Sequence, residues 1–329
     1  MHFYRGEFKM TKSMGFLVLA SLCAFAAGSP GFAAEGPPAW AYPVNPPDFV
    51  APPDDGVPRR VPGSTATYTL TQLRDRFIAP DWHPAEHAAM PDIVARGRKP
   101  DVFACGFCHR ADGPGGPENA NLAGQPAAYI VQQMADFKSG ARKTSVAKRN
   151  VDLMIALSKP ATDAEVEAAA AYFSTLKPRA VIKVVETDTV PKTFIMSNHL
   201  AALPSGEKEP IGSRIVEVPE VLEQFVHRDT HAQFIAYVPP GSVAQGEALV
   251  KTGADKTIQC TICHGLNLKG LGSMPGIVGR SPSYIVRQLY DLKSGARAGT
   301  FSSMMKPVVA NLSVDDMLSI AAYLATLAP

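Results

Sequence analysis

CGFCH at residues 105–109 and CTICH at residues 260–264 decide how this chain folds. Each run places two thiols three positions apart with a histidine immediately after. Two thiols at that spacing reach the two vinyl groups on one edge of a porphyrin, and the next residue then lies beneath the ring. C-x-x-C-H is therefore the signature of covalent c-type haem attachment. Two runs predict two covalently bound haem c groups (iron). Cys105, Cys108, Cys260 and Cys263 are the expected thioether donors, and His109 and His264 the expected proximal iron ligands. A zinc site would need both cysteine pairs to converge on one ion, without a His after each. A dithiol redox centre would not need two copies. Four of the five cysteines fall in these runs.

Outward from the motifs, the chain repeats itself. Residues 121–142 (NLAGQPAAYIVQQMADFKSGAR) and 276–297 (GIVGRSPSYIVRQLYDLKSGAR) share 11 of 22 positions at an offset of 155, the same offset that separates the motifs. Within each copy, Pro126 and Pro282 suit a helix start and Gly140 and Gly295 a helix end. Ile130, Met134 and Phe137 recur at helical spacing, as do Ile285, Leu289 and Leu292. A second helix is predicted after each. Thr162 with Glu165 and Ser313 with Asp316 form capping boxes. Apolar stripes follow at Val166, Ala170, Phe173 and Leu176, and at Met317, Ala321, Leu324 and Leu327, now at an offset of 151. The first copy thus carries four extra residues near 143–153.

The distal iron ligand decides between a closed electron carrier and an open, reactive iron. Met134 aligns with Leu289 and Met317 with Val166, so both suit a helix core, and Met274 has no counterpart. Met154 and Met305 align with each other, in the expected loop before the last helix. They are the expected distal ligands, with Met304 the rival in the second copy. His83, His87, His199, His227 and His231 are further candidates, although a lone His in a leader is more often hydrogen-bonded or at the surface. Gly124 and Gly279 are expected where backbone passes close to a ring. Lys138, Arg142, Lys293 and Arg297 suit either haem propionates or solvated helix ends.

The rest of the chain is organised around the two copies. Residues 15–27 (GFLVLASLCAFAA) follow Arg5, Lys9 and Lys12 and are too short to span a bilayer, which fits a secretory signal. The predicted division is a signal peptide at 1–33, a Pro-rich leader at 34–84, haem domain 1 at 85–178, a bridging segment at 179–240, and haem domain 2 at 241–329. An uncleaved anchor is the alternative at the N-terminus. Cys23 lies within the signal. The whole chain carries a net charge of +2, and residues 1–33 account for that, so nucleic-acid binding is unsupported.

Cys105–His109, Asn121 through Gln125, Tyr129 through Arg142 and Ala168–Phe173, with Cys260–Gly265, Tyr284 through Arg297 and Asn311 through Leu324, together resemble the tandem class I diheme cytochromes c of the c4 and c553 type. The resemblance covers about 180 residues. It implies a mainly α fold of two tandem haem domains, here joined by irregular Pro-rich leader and bridging segments. It also implies His/Met ligation and periplasmic electron transfer. A proline carbonyl is expected to take the proximal histidine's proton, a position Pro275 matches and Ala120 occupies in the first copy. The expected function is a periplasmic shuttle passing single electrons from a dehydrogenase to a cytochrome or oxidase acceptor, with peripheral membrane association as an option. It could equally be the cytochrome subunit of such a dehydrogenase. The alternative class is a diheme enzyme, a peroxidase or a thiosulfate-oxidising dehydrogenase. That would need an open iron or a His or Cys distal ligand. A haem sensor lacks any visible signalling segment.

Overall fold

The predicted stripes become helices that bury their apolar faces against each other. The computed structural model describes residues 36–329, which form one compact unit. The expected signal peptide, with Cys23, lies outside the described residues. The first copy contains α2 (Asp92–Ala95), α3 (Cys105–His109), α4 (Ala127–Lys138), α5 (Arg149–Ser158) and α6 (Asp163–Thr175), after a leader whose one α-helix is α1 (Leu70–Arg74). The second copy contains α8 (Ser242–Thr252), α9 (Thr261–His264), α10 (Pro282–Ser294), α11 (Ser302–Val309) and α12 (Val314–Thr326).

Both capping boxes form as the sequence predicts. Thr162 and Ser313 each accept from the backbone N–H three residues on, and Glu165 and Asp316 return the bond. Pro282 opens α10, and Gly295 ends it at φ +80°, a left-handed conformation that glycine adopts without strain. Pro126 stands one residue before α4. The cores are separate: Ile130, Ala170 and Phe173 centre the first, and Val286, Leu312, Met317 and Ala321 the second. The leader contributes to the second core, where Ala41 and Tyr42 are buried.

Helix α8 crosses α12 so closely that a Cβ on Gly246 would lie 1.9 Å from the Ser319 carbonyl oxygen. Only a residue without a side chain permits that approach. Its counterpart in the first copy, α2, is a single turn.

The bridge corrects one expectation. Rather than irregular, it is β-structured, so the chain is not helical throughout. Strand β1 (Ile182–Glu186) pairs in parallel with β7 (Phe234–Val238), and β6 (Val216–Pro219) lies antiparallel on the other side of β7. Between β1 and β6 the chain forms one long hairpin of two ladders, β2 (Thr189–Pro191) with β5 (Lys208–Pro210) and, beyond it, β3 (Thr193–Met196) with β4 (His199–Ala202). A short helix, α7 (Leu222–Val226), follows β6. The alternating burial of FIAYV in β7 explains the choice: residues i and i+2 share one face of a strand.

Candidate functional site

Both motifs open on one cavity of about 350 Å³. Cys105, Cys108 and His109 line it from α3. Cys260, which caps α9, lines it with Cys263 and His264. The wall is largely apolar, with Ile130, Phe137 and Phe173 from the first copy and Ile285, Leu289 and Leu292 from the second.

The histidines are fixed in one tautomer. His109 Nδ1–H donates to the Ala120 carbonyl at 2.8 Å, and His264 Nδ1–H to the Pro275 carbonyl at 2.8 Å. The acceptor is backbone in both copies, so alanine serves where proline was expected. Burial holds both imidazoles below the usual histidine range, which keeps Nε2 a neutral lone-pair donor. Such a carbonyl partner is the usual way a metal-binding ring is oriented. Burial also pushes the Cys105 thiol up to about 12 and the Cys260 thiol up to about 11. An apolar wall, paired thiols and carbonyl-anchored imidazoles fit a covalently held, iron-bearing macrocycle.

Met154 and Met305 line the cavity, as do Met304, Met134 and Met274. Met154 lies within α5 and Met305 within α11, so the expected loops are short helices. Met305 packs against the second core, whereas Met304 is 50% exposed. Met317 is core, as expected. None of the five alternative histidines lines the cavity. His83 and Asp229, His87 and Asp81, and His231 and Glu86 are partners, His227 lies near Glu223, and His199 is buried between Phe225 and Phe234. Gly124 and Gly279 adopt φ +68° and +63°, but the close neighbours are Pro178 and Pro329 after the last helices, not the cavity.

The sequence did not reveal the polar seam between the copies. Arg142 donates to Gln133, Tyr284 and Gln288, while Arg297 donates to Gln288, Tyr129 and Gln133. Lys143 N–H and Ala298 N–H cross to the Ala296 and Ala141 carbonyls, both at 2.8 Å. Arg142 is buried rather than a solvated helix-end charge. Its only signal was the identity of Tyr, Gln and Arg in both copies. Both guanidiniums bond to neutral oxygens and line the cavity, where two cations in a largely apolar wall favour an anionic group.

The comparisons now bear on this geometry. The cytochrome c family model matches residues 94–177. Cytochrome c-554(547) of Halothiobacillus neapolitanus is 34% identical over 95 residues, 26% of this chain and 98% of that protein. The chain belongs to the cytochrome c family. As a member it carries covalently bound haem c and transfers electrons. This cytochrome is also 28% identical over 247 residues to the thiosulfate dehydrogenase electron acceptor of Thiomonas intermedia, covering 74% of this chain and 83% of that one. Cytochrome c4 of Pseudomonas aeruginosa is 28% identical over 244 residues, 72% of this chain and 89% of its own length. Among solved structures, the thiosulfate dehydrogenase TsdBA of Marichromatium purpuratum aligns at 25% identity with a TM-score of 0.46. That alignment covers 70% of this cytochrome but 38% of the TsdBA chain.

Proposed function

We propose that this cytochrome is a periplasmic two-haem shuttle that takes single electrons from a dehydrogenase and passes them to a downstream acceptor. The observation that carries this is the opening of two C-x-x-C-H motifs, with identically anchored histidines, onto one cavity. Cys105 and Cys108 would hold one haem and Cys260 and Cys263 the other, with His109 and Met154, and His264 and Met305, as the residues that would bind each iron. The haem domains span 85–178 and 241–329.

When bound, haem c supplies a one-electron Fe(II)/Fe(III) couple. The chain's own residues set the conditions. Ala120 and Pro275 carbonyls orient the imidazoles. Thioether donors from Met154 and Met305 would favour the reduced state and close the iron to substrate, which separates a carrier from an enzyme. Arg142 and Arg297 would offset propionate charge at the seam. Apolar side chains exclude water and so lessen the reorganisation that accompanies a change of charge.

The T. intermedia relative is named for accepting electrons from thiosulfate dehydrogenase, and a sulfur-oxidising dehydrogenase is the donor class proposed here. Native holoprotein mixed with thiosulfate dehydrogenase and thiosulfate should be reduced at both haems. The expected mass is that of the processed chain plus two haem increments. A thioether–iron charge-transfer band at the red end of the visible spectrum should arise from both copies. Reduction by thiosulfate without added enzyme, together with the band from one copy only, would refute the carrier assignment.

A further inference from the structure

Away from the haem cavity, four side chains converge where the leader meets the bridge. His83 Nε2 lies 3.1 Å from Asp229 Oδ1, and His231 Nε2 lies 2.9 Å from Glu86 Oε2. The two imidazoles stack at 3.7 Å with their planes 7° apart. One donor atom from each of His83, Asp229 and His231 falls within 4.8 Å of the others. Neither the electron-transfer function nor the haem-site assignment uses any of them.

Two cations face the cluster's carboxylates: Arg179 bridges Glu86 and Asp112, and the buried Arg110 acts on Asp112 and Asp229. The Asp229 side chain is fully buried and that of His83 nearly so. Asp229 Oδ1 also accepts from the His231 backbone N–H at 3.0 Å and Oδ2 from Gln224 at 3.1 Å, which holds the carboxylate in place as a donor. The His231 side chain is 33% exposed and gives the cluster one open side.

We propose that His83, Asp229 and His231, with Glu86 as the fourth donor, bind a divalent transition ion of the zinc class. Two imidazole nitrogens and two carboxylate oxygens match that donor preference, whereas magnesium and calcium take oxygen donors alone. Tetrahedral ligands with bonds of about 2.0–2.2 Å lie roughly 3.3–3.6 Å apart, so the nitrogen–oxygen pairs, at 3.1 and 2.9 Å, need to open by only a few tenths of an ångström to admit the ion. The ion replaces the proton that each Nε2 shares with its carboxylate. It changes no oxidation state, so no electron step is added. Because each lone pair lies in its ring plane, binding turns His231, the more exposed ring, out of the stack. His83 belongs to the leader, Glu86 to the start of the first haem domain, and Asp229 and His231 to the bridge. The ion therefore pins leader and bridge over the first copy, stabilising the folded chain by mass action.

The test uses the native diheme protein, stripped with a chelator and titrated with ZnCl₂ by calorimetry, with thermal melts alongside. One equivalent should bind and raise the melting temperature. His231→Gln is the primary variant because its ring is on the open side, and Asp229→Asn is the second. Each should weaken the first equivalent at least tenfold while leaving the haem spectrum unchanged. Should the wild type take up no first equivalent, or should His231→Gln weaken it less than tenfold, the cluster is only a stacked pair of histidine–carboxylate bridges and the proposal fails.

Discussion

The two haem-binding copies share a motif, a helix plan and a histidine anchor, yet they are stabilised differently. The second packs α8 into α12 through Gly246, with Ala41 and Tyr42 of the leader and Ile215 and Val238 of the bridge completing its core. The first has one turn, α2, in that place and is covered from outside. Arg228 of the bridge lies 3.7 Å over the Phe107 ring and donates to the Phe107 carbonyl at 2.9 Å. It also donates to Leu73 of the leader at 3.0 Å. Phe107 is buried, whereas its counterpart Ile262 is 62% exposed; Ala111 is buried, whereas Leu266 is 95% exposed. Duplicated sequence thus gave one half whose haem motif is open at its surface, and one whose haem motif is covered by added chain.

The largest effects should come from the motifs themselves. Changing Cys105 and Cys108 together to Ser should remove one haem increment from the mass, and so should the Cys260 and Cys263 pair. The first double variant should leave the second copy's spectrum intact, because that copy holds its own helix pair. Loss of both signals from either variant would show that neither half stands without the other.

Next, Gly246→Ala should destabilise the second copy by about 1–3 kcal/mol, the usual cost of overpacking a close contact. Melting followed at each haem should show the second copy yielding first. Arg228→Ala should act in the opposite half, costing about 1–2 kcal/mol through a lost cation–π contact and two unpaired carbonyls. Equal shifts at both haems would contradict the division drawn between them.

Lys148 sharpens the contrast further, since it lies within the stretch where the first copy departs from the second. It is buried, donates to the Pro43 and Asn198 carbonyls, and is pushed down to about 7 by burial. Its folded value lies below its unfolded one, so the unfolded chain binds the extra proton between pH 7 and about 10.5. Its contribution therefore opposes folding fully below pH 7 and fades as pH rises. Chemical denaturation at pH 6.5 and pH 9.5 should show Lys148→Met gaining on the wild type more at the lower pH. The smallest effect belongs to Leu266→Ser, which should change stability by no more than about 0.5 kcal/mol because the side chain is already in water.

Local rules made much of this legible. The C-x-x-C-H runs, the helix stripes, the capping boxes and Gly295 all depend on residues a few positions apart, and each appears where its spacing predicts. The repeat located the methionines, although the short helices α5 and α11 that carry them were expected to be loops. Three features were not legible. The bridge folds as a mixed sheet because β1 finds β7 some fifty residues away. Arg142 and Arg297 cross the seam because the copies meet face to face. His83 and His231 stack because the leader and the bridge come together over the first copy. Spacing along the chain fixes which side chains share an element's face, and so sequence alone determined the two haem-binding motifs and the helices around them. Which of those faces meet depends on long-range burial, and only the tertiary structure decided that one copy would be covered and the other left open.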